Sequence, residues 1–288
     1  MAVGTTMKLS LILATVARSI DVGRFIHSLV GQTDRNFELI VVDQNTDDRL
    51  LPYIEEGRTA GLDLHHLRLN RPSLSGARNM GIAKSTGELV GFPDDDCWYD
   101  PDTVAQVLRV FSSTPNLQGI VACWEEQMRD KRVKPMIGNL SLKAWRDFRG
   151  GYASSISLFF RREQFDRLGG FDERLGVGRW YGGAEETDFI LRALASGASL
   201  AYCPTVKVHH LFEPVTQDKL SKRCRVARRR SRGTGGIYAK HHLSFWVIFR
   251  GFLAPIYHTI SYREALRLGF SISLGRIEGY LKWKFRER

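Results

Sequence analysis

Residues 9–43 read LSLILATVARSIDVGRFIHSLVGQTDRNFELIVVD, and this stretch decides the fold. Leu9–Ala14 is an apolar run of strand length. Val22, Phe25, Ile26 and Leu29 then recur at helical spacing on one face, and Phe37–Val42 is a second β-branched run that stops at Asp43. Strand, helix, strand at this spacing is a βαβ unit, which builds parallel sheets covered by helices. The pattern continues outward. Leu64–Leu69 and Glu88–Phe92 read as strands and Ala77–Lys84 as a helix. Asp102–Phe111 reads as a helix with Pro101 at its start, and Gly119–Trp124 as a strand. Gly150–Phe160 also reads as a strand, Gln164–Leu168 as a short helix closed by Gly169-Gly170, and Glu185–Ser196 as a helix ended by Gly197. Leu200–Pro204 and Val206–His209 are two short extended pieces. The expected fold class is α/β, a mixed and mostly parallel sheet flanked by helices.

A chain of 288 residues holds one full α/β domain plus an appendage. The hydrophobic fraction of 43% and charged fraction of 25% are those of a globular protein and argue against disorder. The net charge of +11 is unevenly placed: Phe212–Arg288 carries 17 Lys/Arg against 5 Asp/Glu, so residues 1–211 are close to neutral. A basic tail suits an anionic partner, whether nucleic acid, anionic lipid or a phosphorylated substrate. The four cysteines are scattered and form no C-x-x-C pair, which speaks for reduced thiols rather than zinc or a disulfide scaffold. Met1–Met7 carries no charged-then-apolar leader, so the expected location is the cytoplasm.

The expected division is residues 1–211 as the catalytic domain and 212–288 as a basic, amphipathic helical region. Lys219–Arg232 is densely basic. Leu243–Ile260 is rich in Phe, Trp, Ile and Leu but broken by Arg250, Pro255 and His258, short of the run of about 20 apolar residues a spanning helix needs. Tyr262–Phe285 spaces Leu266, Phe270, Leu274, Ile277 and Leu281 three or four apart among basic residues, the pattern of a helix lying on a membrane surface.

The chemistry concentrates in Gly91-Phe92-Pro93-Asp94-Asp95-Asp96-Cys97-Trp98, three carboxylates at a strand end. Like charges packed in one loop favour a neutralising cation, and carboxylate oxygens suit Mg²⁺ or Mn²⁺, which also bridge phosphate oxygens. A solvated acidic turn is the plainer alternative. In open α/β sheets, however, ligands bind beyond the carboxyl ends of the strands, where Thr15, Arg18, Asp43 and Asp94–Asp96 would gather. Asp43 could accept from a base N–H, and Arg18 or Arg78 could pair with phosphate. Ser75–Gly81 brings small residues into a helix start that can approach a ligand, or simply packs tightly. Glu185 and Glu186 follow Gly182-Gly183-Ala184 and open a helix, either as first-turn acids or as groups facing a ligand. Trp180 and Tyr181 suit a sugar face or a core, and His209 and His210 suit a metal or a plain strand end.

These segments, in order, resemble the family 2 glycosyltransferases of the GT-A fold: SLILATVAR, ELIVVDQNTDD, SGARNMGIAKSTGELVGFPDDDCWYDPD, SLFFRREQFDRLGGFDERLG, YGGAEETDFILRAL and PTVKVHH. The resemblance implies a nucleotide-sugar pocket lined by Thr15, Arg18 and Asp43, with Arg78 and Asn79 near the sugar or pyrophosphate. Asp94 and Asp96 match a D-x-D signature, with Asp95 between them, the first facing the donor and the second binding Mn²⁺ or Mg²⁺. Glu185-Glu186 match an E-D pair whose second member is the base. His209 or His210 matches a metal ligand, and Trp180, Tyr181 and Glu185 lie toward the acceptor. Two departures stand out: Gln44-Asn45 replaces Asp-Gly after the nucleotide-binding acid, and Glu186 replaces Asp, which keeps Glu185 open as the base.

The expected activity is inverting transfer from a nucleotide sugar, a UDP-sugar by resemblance, to a hydroxyl of a polyprenyl-diphosphate-linked saccharide in surface polysaccharide synthesis. The expected place is the cytoplasmic face of the plasma membrane, with Lys222–Arg232 meeting anionic headgroups at about 1 kcal/mol per basic residue. Two other classes stay in view. Nucleic-acid binding would use the arginine run but has no recognised motif behind it. A sugar-phosphate nucleotidyltransferase would need a glycine-rich loop after the first strand, which is missing.

Overall fold

A computed structural model describes residues 7–128, 136–151, 153–210, 219–260 and 263–287, without the side chains of 263–265. The expected boundary at 211/212 and most of the N-terminal stretch Met1–Met7 lie outside the described residues.

The strands are β1 (Leu9–Thr15), β2 (Phe37–Asp43), β3 (Leu64–Arg68), β4 (Leu89–Gly91), β5 (Cys97–Trp98), β6 (Gly119–Trp124), β7 (Gly138–Asn139), β8 (Leu158–Arg161) and β9 (Leu200–His210). They lie in the order β3-β2-β1-β4-β8-β6-β9-β5, with β7 paired to β9. β3, β2, β1 and β4 run parallel, β8 is antiparallel to both β4 and β6, and β6 is again parallel to β9. The helices are α1 (Ile20–Val30), α2 (Leu51–Thr59), α3 (Leu74–Lys84), α4 (Thr103–Ser113), α5 (Glu125–Met128), α6 (Leu142–Arg146), α7 (Glu163–Leu168), α8 (Glu185–Ala195), α9 (Leu220–Lys240), α10 (Phe245–Tyr257) and α11 (Arg263–Arg286).

The apolar runs of β1 and β2 follow from burial on both faces. Leu9, Leu11 and Leu13 point to a core shared with Val22, Phe25 and Leu29 of α1 and Val104, Val107 and Phe111 of α4. Ile12 and Ala14 point the other way, to a core with Ala77, Phe165, Phe189, Ile237 and Trp283. Ile237 belongs to α9 and Trp283 to α11, so the C-terminal helices complete the second core.

Two expectations need correction. Gly150–Phe160 is strand only from Leu158, because Ser155–Ser157 forms a 3₁₀ turn capped by Ser154. Leu200–Pro204 and Val206–His209 form one strand, with an irregularity where β6 shifts register between Ala122 and Cys123, so Pro204 breaks nothing. The helix expected from Ala77 begins at Leu74, where the Ser73 hydroxyl accepts from the Gly76 N–H at 3.1 Å.

The tail packs through small residues. A Cβ at Gly235 would collide with the Arg276 carbonyl, and Cβ atoms at Gly275 and Gly279 with the Arg228 and Arg232 carbonyls. Glycine alone permits this approach of α9 to α11. Asp188 of α8 locks the end of α9: its carboxylate accepts from His241 Nε2 at 2.8 Å and pairs with Lys240 Nζ at 2.8 Å and Arg192 Nε at 2.8 Å. Among the described residues, no helix is long and apolar enough to cross a membrane.

Candidate active site

Strand polarity brings the acids together. β1, β2 and β4 are parallel, so Thr15, Asp43 and the loop Asp94–Asp96 gather beyond their carboxyl ends. The Thr15 hydroxyl donates to Asp95 at 2.8 Å. Arg18 reaches Asp95 through Nε at 3.3 Å and Asp96 through Nη1 at 2.6 Å. Burial, reinforced by Asp96 and Asp94 and opposed by Thr15 and Arg18, pushes the Asp95 carboxyl up to about 6. Burial also raises Asp94, against the pull of Arg78 and His210. Asp96 goes the other way: burial raises it, but the contacts with His210 and Arg18 outweigh that and hold it below its ordinary value.

At the centre is Arg78, only 1% exposed. Its Nη1 donates to Glu185 Oε1 at 2.9 Å, and its Nη2 to the Ser155 hydroxyl at 2.7 Å and Asp94 Oδ1 at 3.1 Å. One guanidinium thus ties α3, the acidic loop, the 3₁₀ turn and α8. Glu186, the next residue, gains no cation. Burial first, then the charge of Glu185, lifts its carboxyl to about 8. Glu185 Oε2 and Glu186 Oε2 are both enclosed without a hydrogen-bond partner. Ala184, just before them, sits at φ 74°, a left-handed conformation that costs a non-glycine residue roughly 1 kcal/mol or more.

The two histidines face different surroundings. His210 Nε2 lies 2.8 Å from Asp96 Oδ1, and its ring meets Trp124 edge-on. His209 stacks on Trp98 and contacts Glu126 through Nδ1 at 2.9 Å and Asp100 through Nε2 at 3.2 Å. Carboxylate and imidazole converging at Asp96 and His210, beside a second carboxylate, make a donor set suited to a divalent cation, and imidazole favours Mn²⁺ over Mg²⁺. A separate cluster, Glu38, Asp63 and His65, also brings ligand atoms close. It sits at the opposite end of the sheet, where Lys8 Nζ lies 3.2 Å from Glu38 and 2.8 Å from Asp63 and supplies the countercharge.

Other expected residues are placed differently. Asp43 has no exposed surface. It accepts from the Asn45 N–H and Nδ2 at 2.8 Å each, and its Oδ2 lies 3.0 Å from His66 Nε2 and 3.3 Å from Arg68 Nη1. Asn79 is turned away, its amide exchanging two hydrogen bonds with the Phe171 backbone at 2.9 and 2.8 Å. Tyr181 is 2% exposed beneath Trp283, where no sugar face can reach it. Trp180 lies under Arg232 and Lys282, at 4.5 and 4.1 Å from its ring centre. Gly182 makes room for α9, since a Cβ there would stand 2.8 Å from Arg229.

A cavity of about 510 Å³ opens over these groups. Asp94, Ser155, Glu185, Glu186 and His210 line one side. Arg230, Ser231 and Thr234 of α9 line the other, a wall that the sequence reading missed by assigning the whole basic run to lipid.

Residues 10–169 match the sequence profile of glycosyl transferase family 2, more than half of the chain. The chain belongs to that family. Over 196 residues it is 26% identical to the succinoglycan biosynthesis protein ExoM of Rhizobium meliloti, covering 66% of this chain and 61% of that one. The fold resembles the mannosyltransferase PcManGT of Pyrobaculum calidifontis, solved with GDP-Man and Mn²⁺, at a TM-score of 0.68, 16% identity and coverage of 99% and 89% of the two chains. It also resembles residues 1–349 of S. aureus TarS, solved with UDP-GlcNAc, at 0.59 and 15% identity, covering 93% and 90%. This family 2 member therefore has the GT-A fold with a C-terminal helical region, and it is a glycosyltransferase.

Replacing Arg78 by Met would leave Asp94 and Glu185 facing each other without a cation. Thermal or urea unfolding of Arg78→Met should show a loss of about 3–5 kcal/mol, the range for half of a broken buried pair. A loss below about 1 kcal/mol would mean that the cluster tolerates its absence.

Proposed function

We propose that this chain is a metal-assisted, inverting glycosyltransferase with Glu186 as the base. It takes a nucleoside-diphosphate sugar, with a UDP-sugar as the expected donor, and a lipid-linked saccharide as acceptor in surface polysaccharide assembly. The observation that carries this reading is the pairing of Arg78 with Glu185 while Glu186 stands beside it at the cavity with no cation and a raised proton affinity. Glu186 takes the proton of the acceptor hydroxyl, and that oxygen displaces the diphosphate from the anomeric carbon. Asp96 and His210 are the proposed ligands of a Mn²⁺ or Mg²⁺ ion, with Asp94 beside them. Such an ion neutralises charge on a leaving diphosphate. Thr15, Arg18 and Asp95 border the donor side. A base engaging Asp43 has to displace Arg68 or Asn45, so Asp43 acts through the pocket wall unless that loop opens.

A membrane partner is supported by an inversion in the tail. α11 buries Gly269, Ser273, Gly275 and Gly279 and leaves Phe270, Leu274, Leu281 and Phe285 outside. α10 buries only Val247 and Gly251, with Phe245 69%, Trp246 73% and Tyr257 74% exposed. Apolar side chains turned outward over two helices, with arginines beside them, suit the interface of an anionic bilayer. The proposed division of labour is that α10 and the outer face of α11 enter that interface on the cytoplasmic side, while α9, expected from sequence to meet headgroups, packs over the active site instead.

Glu186→Gln should bind donor normally yet lose about 10²- to 10⁴-fold in kcat. In the parent, kcat/KM should climb with pH toward about 8 as the carboxylate forms. The same raised value makes the native state bind an extra proton between the ordinary carboxylate range and about 8. Parent stability should therefore fall as pH rises through that window, and Glu186→Gln should abolish this fall. Near-parental turnover of Glu186→Gln would transfer the role to Glu185. His210→Ala should raise the Mn²⁺ concentration for half-maximal activity at least tenfold, whereas His209→Ala should leave it unchanged; the reverse pattern would exchange their roles. Trp246→Glu with Phe249→Glu should stop co-flotation with vesicles containing phosphatidylglycerol, and equal flotation would reject the α10 surface.

A further inference from the structure

The cavity holds more negative charge than its committed cations offset. Asp94, Glu185 and Glu186 face it, Arg78 is divided between Asp94 and Glu185, and Arg18 is bound to Asp95 and Asp96. A phosphorylated substrate adds further negative charge beside three acids, which costs free energy without another cation. Only α9 supplies a second one. Its neighbouring arginines are taken: Arg228 and Arg232 pair with Glu278, and Arg229 lies along the Arg179 carbonyl. Arg230 is exposed, lines the cavity and forms no ion pair among the described residues. Thr234, one helical turn on, shares its face, and Ser231 adjoins it.

We infer that Arg230, with the Ser231 and Thr234 hydroxyls, forms a phosphate-binding wall of the reaction cavity. Guanidinium flanked by hydroxyls is the donor set phosphate oxygens accept from. The wall is held rigidly: a Cβ on Gly233 would collide with the Gly183 carbonyl, so α9 lies directly on the loop that presents Glu185 and Glu186. The phosphate it takes is thus close to the attacking hydroxyl. It belongs either to the leaving diphosphate or to an acceptor carrying phosphate within about one sugar of that hydroxyl. The inference rests on the transferase reading but not on which acid is the base.

The test uses the full chain with inorganic pyrophosphate in EDTA as the probe of the wall, read by calorimetry. The parent should bind it saturably, Arg230→Gln at least tenfold more weakly, and Arg230→Lys between the two, with unliganded melting temperatures unchanged. No binding by the parent, or equal binding by Arg230→Gln, overturns the inference, while inactivity of Glu186→Gln would still stand and keep the transferase reading. Two further measurements separate the sources. Weaker UDP binding in the presence of Mn²⁺ and slower donor hydrolysis in Arg230→Gln assign the wall to the leaving diphosphate. Both unchanged, with a raised KM for a saccharyl-diphosphate-lipid acceptor, assigns it to the acceptor.

Discussion

The whole arrangement depends on one enclosed guanidinium. A buried ion pair adds little net stability, because removing both charges from water offsets their attraction. What Arg78 provides is geometry. Its planar fork has fixed directions, so Asp94, Ser155 and Glu185 must come to it from three separate stretches of chain. It also separates two neighbouring glutamates chemically. Glu185 is held by the cation and Glu186 is left beside a negative charge, so adjacent residues of one type acquire opposite tendencies to hold a proton.

Strand alternation makes a second such distinction. His209 and His210 are consecutive on β9 and therefore project to opposite faces. One falls among Trp98, Asp100 and Glu126, the other beside Asp96. β5 fixes the register, pairing Cys97 with His210 and Trp98 with His209, which ties the end of the acidic loop to the histidine strand. A slip of one residue would exchange the two rings.

Much of this was legible in the sequence because the signals are local. The helical spacing of Val22, Phe25, Ile26 and Leu29 and the run FELIVVD set β1, α1 and β2, and with them the edge where Thr15, Asp43 and Asp94–Asp96 collect. What stayed hidden depends on distant packing. Nothing near Ser155 announces that a 3₁₀ turn will aim its hydroxyl at Arg78. Asn79 stands in a motif suggestive of ligand binding, yet the Phe171 backbone claims its amide from 92 residues away. Tyr181 reads as a stacking aromatic until α11 places Trp283 over it. Arg230 could not be told from its neighbours, because helix periodicity separates Arg228 and Arg232 from it only once Glu278 is known to lie opposite.

The tail shows why composition alone misleads. An amphipathic helix is expected to bury its leucines, and α11 does the reverse, seating glycines and serine against α9. Close backbone approach is compatible with small residues only, so the packing seam excludes the large apolar side chains and turns them outward. That seam ties α9 to α11, and α9 is fixed at the other end to α8 by Asp188 and to the Tyr181–Gly183 loop by Gly233. Any surface that the outer face of α11 meets is therefore joined by rigid contacts to the wall of the active-site cavity. On the proposed reading, the same helices set the height of the cavity above the bilayer and hold Arg230 over Glu186. The acceptor's reach would then be fixed by helix packing rather than by a flexible linker.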